Sequence, residues 1–338
     1  MTVVDAHTHF IPLEFVDFLR SGEGPPDVKV VDREGKPPLI EHSNGLAYPV
    51  FPLFHDAAAK LDQMDGDGID VSLCSIVPSM FLYDAEPADT VRAHRVINDA
   101  GAAYAEASGG RIAVLATVPL NDPAAAAEEL RRACGELGLC GVEIGPSVGD
   151  AMIDAPEFEP FLAAAEELGV TVMVHPYLNM VAKPGPDLEG FHLSNVVGNP
   201  YETCVAASRL IVGGVLDRHP GLRFQLVHAG GSFPYQLGRL EHAYGAREET
   251  KSVAQRSPLH YLEHFMFDTV IFDERSLRFL LDLAGPDALV FGTDLPFDMA
   301  DVSALETLPR IAADDVVAKV LGGNALRAYG VPDPAVSR

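Results

Sequence analysis

Apolar, β-branched runs alternate with Ala-, Leu- and Glu-rich segments along the whole chain. The runs Thr2–Asp5, Asp70–Val77, Arg111–Val118, Leu139–Ile144, Val170–Val174, Arg223–Val227, Phe265–Asp268 and Ala288–Phe291 read as strands. They are short and show little polar alternation, as expected for parallel strands covered on both faces. The segments Asp56–Asp65, Asp89–Ser108, Pro123–Leu137, Pro156–Leu168, Tyr201–Arg218, Phe233–Ala246, Glu274–Ala284 and Asp314–Leu321 read as helices. Prolines 123 and 156 sit where a first helical turn tolerates them. Gly135 and Gly138 are placed to close the third helix, and Gly169 the fourth. The alternation predicts an α/β fold, a (β/α)8 TIM barrel in preference to a doubly wound sheet.

Two stretches break the alternation. Residues 20–55 are rich in Gly, Pro and charge, and residues 178–200 interrupt the pattern after the fifth strand. Both follow a strand end, the side on which barrels carry their active sites. They are expected to be insertion loops after strands 1 and 5 that wall or cover a site. No shift in composition marks a boundary, so residues 1–338 are expected to form one barrel domain.

Composition narrows the function. Hydrophobic residues at 48% and charged residues at 22% fit a globular protein and exclude disordered, collagen-like and coiled-coil chains. The 24 Lys and Arg against 49 Asp and Glu give a net charge of −25. Such a surface repels phosphate backbones, so neither nucleic acid nor an anionic membrane is an expected partner. A small carboxylate substrate remains compatible, because a metal ion and one or two arginines reverse the sign locally. No apolar run reaches the ~20 residues of a membrane span. The start MTVVDAHTHF lacks the basic and apolar regions of an export signal, which predicts a cytoplasmic protein. Cys74, Cys134, Cys140 and Cys204 form no CxxC pair and read as thiols in a reducing compartment.

The candidate chemistry lies at strand ends. Asp5, His7 and His9 follow the first strand two residues apart, a spacing that aims them to one face of an extended chain. VTVMVHP ends in His175, FQLVHAGG reaches His228, and LVFGTDLPF reaches Asp294. In a barrel these groups could converge on one axis and hold a metal. His42, His94, His219, His242, His260 and His264 fall in predicted helices or loops and read as surface or capping groups. His55 and His192 lie in or beside the two insertions and are candidate substrate contacts.

DAHTHF, VHPY, LVHAGGSFP and FGTDLPF resemble the amidohydrolase superfamily, and within it the aminocarboxymuconate-semialdehyde decarboxylases and related metal-dependent decarboxylases. The resemblance runs nearly end to end and includes GVEIG, GNPYET, GRLEHAYG and GNALRAYG. It implies one divalent metal, zinc or in some members manganese. It implies His7, His9, His175 and Asp294 as ligands and His228 as a nearby catalytic group. Three imidazoles and one carboxylate leave the open position that a catalytic zinc needs. The fourth strand, CGVEIG, carries no lysine to bridge two metals, although Glu143 lies there. The family's loop arginine is missing from AYPVFPLFHDAAAKL, where Tyr48, Phe51 and Phe54 stand instead. Arg239 matches the family's second arginine, which reaches the neighbouring subunit's site and so implies a homodimer. Phe297 completes the set of substrate-binding candidates.

These features imply a non-oxidative carboxy-lyase acting on an aromatic or unsaturated carboxylic acid. Asp294 and His228 are the candidate proton donors. Hydrolysis of a lactone, amide or ester, or hydration of a double bond, could use the same site.

Overall fold

A computed structural model describes residues 1–177, 188 and 190–336. Much of the second insertion, residues 178–187 and 189, lies outside the described residues. The strands in chain order are β1 (Val4–Phe10), β2 (Val28–Arg33), β3 (Lys36–His42), β4 (Ala47–Pro49), β5 (Val71–Ile76), β6 (Ile112–Val114) and β7 (Ala116–Thr117). They continue with β8 (Val142–Ile144), β9 (Ser147–Val148), β10 (Ala151–Met152), β11 (Thr171–Val174), β12 (Arg223–Leu226) and β13 (Phe265–Phe267).

Parallel pairing runs β1–β5–β6 and β7–β8–β11–β12–β13. β6 and β7 are one chain path bent at Leu115, whose N–H donates to the Cys74 carbonyl while that of Ala116 donates to Gly141. The segment after Ala288 closes the ring without forming a regular strand. It bridges Phe267 through Leu289 and Thr8 through Leu295. Eight staves therefore surround one axis, which is the α/β barrel expected from the alternation.

Helices cover the barrel. Asp56 caps the helix Ala57–Asp67 by accepting from the Ala58 and Ala59 amides. Gly169 ends the helix Glu159–Leu168 in the left-handed conformation. The run expected as one helix from Tyr201 to Arg218 is two, Asn199–Val212 and Val215–Arg218, broken at Gly213 and Gly214. The last expected helix continues through a π turn, Lys319–Gly323, into Asn324–Tyr329.

Two expectations change in ways that matter for the site. β1 extends to Phe10, so His7 and His9 lie on the strand rather than after it. The first insertion is not loop throughout. β2, β3 and β4 form an antiparallel meander that presents Leu46 and Tyr48 to the cavity. Its short polar strands gave no strand signal because they lie near the surface rather than in the core.

Candidate active site

β1 carries a bulge between Asp5 and Thr8, so the two-residue alternation fails there. Asp5 does not project with the histidines. It accepts from the Thr293 hydroxyl at 2.7 Å and from the Thr293 and His7 amides, at 3.1 and 3.2 Å. Burial pushes Asp5 up to about 6, against the opposing charge of Lys60. Asp5 thus ties β1 to the segment that carries Asp294.

His7, His9, His175 and His228 converge, with neighbouring ring centroids 5.0–5.3 Å apart. Each of the first three rings has Nδ1 engaged away from the cavity. His7 meets Asp268 at 2.7 Å, His175 meets the Pro176 carbonyl at 2.7 Å, and His9 meets the Ile76 carbonyl at 3.3 Å. Nδ1 donating outward leaves the Nε2 lone pair facing in, the arrangement a metal ligand requires. The Nε2 atoms of His7 and His175 are buried with no hydrogen-bond partner. Buried polar atoms are rarely left so, since each costs about 1–3 kcal/mol. An ion held by these lone pairs would satisfy them.

Asp294 reaches the same point. Its Oδ1 lies 3.1 Å from His9 Nε2 and 3.5 Å from His7 Nε2, and its Oδ2 lies 3.5 Å from His228 Nε2. Against the cost of burial, the surrounding His228, His9 and His7 rings hold Asp294 well below the usual carboxylate range. Burial, reinforced by the other three imidazoles, pushes His175 well below its ordinary value and keeps it neutral. Burial likewise lowers His9, whereas Asp268 and Asp294 overcome burial at His7 and raise it to about 9. His228 and Asp294 both adopt left-handed backbone, at φ 53° and 64°. Such strain in non-glycine residues concentrates at functional sites.

Among the described residues, two groups of side chains could hold a metal ion. His7, His175, His228 and Asp294 offer atoms all within 4.8 Å of one another, as do His9, Glu143 and His175. Glu143 stands on β8, fully buried. It accepts from Ser75 Oγ at 3.0 Å, and that oxygen lies 3.3 Å from His9 Nδ1. Burial pushes Glu143 up to about 8.

Asp268 was missed as a site residue, although it ends an expected strand. Besides His7, it accepts from the His228 and Ala229 amides at 2.9 and 2.7 Å, so one carboxylate positions the His7 ring and the backbone of His228. The signal available was an acid terminating the apolar run FMF. Gly231 lets the His228 turn approach the helix beginning at Asn199. A Cβ there would sit 2.5 Å from the Pro200 carbonyl oxygen.

A cavity of about 330 Å3 opens over His175, His228 and Asp294, with Tyr48, Tyr177 and Phe297 among its walls. Phe297 packs against His9 at 5.1 Å, Phe54 at 5.8 Å and Tyr48 at 6.3 Å. His192 also lines the cavity. His55 does not. It lines a separate recess with Glu14 and Tyr104, because the helix Pro52–His55 turns it away from the barrel mouth. Arg239 lies exposed on the helix Phe233–Ala246, outside the cavity. Several histidines expected at the surface are buried: His94, His219 and His264 are at most 6% exposed. His219 joins Glu159 and Glu166, at 2.7 and 2.8 Å.

The family model described as Amidohydrolase matches residues 4–331. The chain is 34% identical to 2-amino-3-carboxymuconate-6-semialdehyde decarboxylase of Dictyostelium discoideum, over 82% of this chain and 77% of that protein. It is 31% identical to gamma-resorcylate decarboxylase of Rhodococcus jostii, over 71% and 77% respectively. The crystal structure of 5-carboxyvanillate decarboxylase from Sphingomonas paucimobilis superposes with a TM-score of 0.81 at 26% identity, covering 98% of this chain and 99% of that one.

Proposed function

The chain belongs to the amidohydrolase family, in the branch of the aminocarboxymuconate-semialdehyde decarboxylases, and from that premise we propose how it works. It is a carboxy-lyase that removes CO2 without oxidation from an aromatic or unsaturated carboxylic acid. The observation that carries the reading is the gathering of His7, His9 and His175 about Asp294, with the Nε2 atoms of His7 and His175 buried and unpartnered, beside an aromatic-walled cavity. These four residues would hold one divalent ion, and the donor set of three imidazoles and one carboxylate suits zinc. When bound, that ion supplies positive charge for the substrate carboxylate and an adjacent oxygen.

The chain's own groups do the rest. Phe297, Tyr48 and Tyr177 give a planar substrate apolar surfaces and exclude water from the carbon that loses CO2. Losing CO2 leaves an electron pair on that carbon, and a proton must replace the carboxylate. His228 stands beside Asp294 at the cavity wall, with Asp268 holding its backbone. Its imidazole delivers the proton, while Asp294 holds the ring in register. Every relative named above is a decarboxylase, which favours this reaction over hydrolysis or hydration at the same site.

The assembly we propose is a homodimer with Arg239 supplied to the partner's cavity. Arg239 is exposed and makes no ion pair among the described residues. Glu241, its nearest acid in sequence, instead accepts from the Leu259 amide. One turn earlier Tyr235 is 80% exposed and packs with a tilted ring on the half-exposed Phe279, a surface suited to a second copy. Following CO2 release against incorporation of labelled water, across a panel of carboxylic acids, tests the reaction. CO2 without label in the product's oxygen is expected. Label incorporation without CO2 would identify a hydrolase or hydratase.

A further inference from the structure

Asp294 holds a left-handed backbone, at φ 64°, which a non-glycine residue keeps only where its surroundings pin it. The pins come from β1. The Asp294 amide donates to the His7 carbonyl at 2.8 Å, and the His9 amide donates to the Leu295 carbonyl at 2.8 Å. The Thr8 hydroxyl donates to that same Leu295 carbonyl at 2.7 Å. The first two bonds join backbone to backbone. The third is made by a side chain, and that side chain has a further partner.

Lys60, on the helix Ala57–Asp67, donates from Nζ to the Thr8 hydroxyl at 2.7 Å. Lys60 is only 1% exposed. Among the described residues it forms no ion pair, although its charge bears on Asp5. Lysine is almost never buried this fully without a counterion, because an ammonium loses its hydration there. No step of the decarboxylation uses it.

What Lys60 supplies is direction. A hydroxyl has one proton and can turn it to more than one acceptor. An ammonium can only donate and a carbonyl can only accept. Between the two, the Thr8 hydroxyl has one orientation, with its proton on Leu295. The relay thus runs from Lys60 Nζ through Thr8 Oγ1 to the Leu295 carbonyl, one residue from Asp294.

We propose that Lys60 is a positioning residue for Asp294. Through Thr8 it holds the carboxylate where it meets His9 Nε2, at 3.1 Å, and where it would meet the metal. The inference rests on the metal-site reading and carries a sign. Were Lys60 felt only as a charge, removing it would relieve repulsion of a cation and tighten metal binding. Acting through Thr8, its removal loosens Asp294 and weakens metal binding.

The test compares the wild type with Lys60→Met, Thr8→Val, Thr8→Ser and the Lys60→Met/Thr8→Val double variant. Competition with a chromophoric chelator gives the affinity for Zn2+, and the visible spectrum of the Co2+-loaded chain reports the ligand set. Thermal unfolding of the metal-free chain reports the fold. Lys60→Met and Thr8→Val should each weaken zinc affinity about 10-fold, as expected when a group that orients a ligand is lost, and shift the cobalt bands. Thr8→Ser keeps the hydroxyl and should stay within about threefold of the wild type, with its spectrum. The double variant should lose about 10-fold, not the roughly 100-fold of independent effects, because both changes cut one relay. If Lys60→Met does not fold, Lys60→Gln replaces it.

A folded Lys60 variant with wild-type zinc affinity and cobalt spectrum overturns the proposal, whatever its thermal stability, and leaves the metal-site reading standing. Tighter zinc binding in that variant does the same by reducing Lys60 to a charge. Additive losses in the double variant overturn the path through Thr8. A wild type that binds neither zinc nor cobalt overturns the metal-site reading and the proposal with it.

Discussion

Around His7, His9 and His175 every outward ring nitrogen has a fixed partner, and these side chains are almost wholly buried. The cavity wall opposite is held quite differently. Tyr48 sits on a three-residue edge strand, and His192 is exposed with left-handed backbone at φ 58°. The centre is built from barrel staves that cross-brace one another through Asp5, Asp268 and Ser75. The wall takes Leu46 and Tyr48 from the first insertion and His192 from the second, beside Tyr177 and Phe297. A change in the wall can therefore alter which acid fits without disturbing how a metal is held, whereas a change in the centre removes both.

The largest expected effect is at the centre. His7→Ala should lose metal and turnover together, read by elemental analysis and CO2 release. Full metal content in that variant would break the contrast at its root. His228→Ala should separate the two properties, keeping near wild-type metal while kcat falls roughly 10²–10⁴-fold. Loss of metal there would make His228 a ligand, as one of the two geometric groupings permits.

Next comes a test of the wall through pH. His94 is fully buried and meets the Phe81 carbonyl at 3.0 Å, which braces the turn Pro78–Phe81 beneath the cavity wall. Burial pushes His94 from 6.5 down to about 4. The unfolded chain takes up this proton near pH 6.5 and the folded chain only near 4, so stability present above pH 6.5 is lost as pH falls toward 4. The loss is on the order of 3 kcal/mol. Denaturant titrations of wild type and His94→Gln should show it, with a flatter pH profile in the variant. Identical profiles would remove His94 as the cause.

Asp268→Asn should weaken metal affinity about 10- to 100-fold, because His7 loses the partner that fixes its tautomer. Unchanged affinity would mean the backbone alone aims the ring. The smallest effect belongs to Phe297→Leu, with KM raised about 3- to 10-fold, metal content unchanged and kcat little altered. A fall in metal content would show that the aromatic wall also supports His9.

Much of this was legible in the chain. Apolar runs that end in His175, His228 and Asp294 mark strand ends, and a barrel necessarily brings strand ends together. Asp268 ended such a run too and was passed over, because an acid after three apolar residues is common and nothing local shows that His7 lies 261 positions away. His55, which lines a separate recess, shows the opposite limit. Nearness in sequence to an insertion does not determine which way a four-residue helix turns its last side chain.

By itself the sequence determined the alternation of strands and helices, the chemical types at the strand ends and the acidic balance, since these rest on periodicity and composition. Only the tertiary structure decided that Asp5 braces rather than joins the centre. One bulged residue reverses the face of a strand, and no local pattern announces it. The same holds for the pairing of Asp268 with His7, which depends on groups from separate staves being packed within hydrogen-bonding reach, and only the closed barrel brings that about.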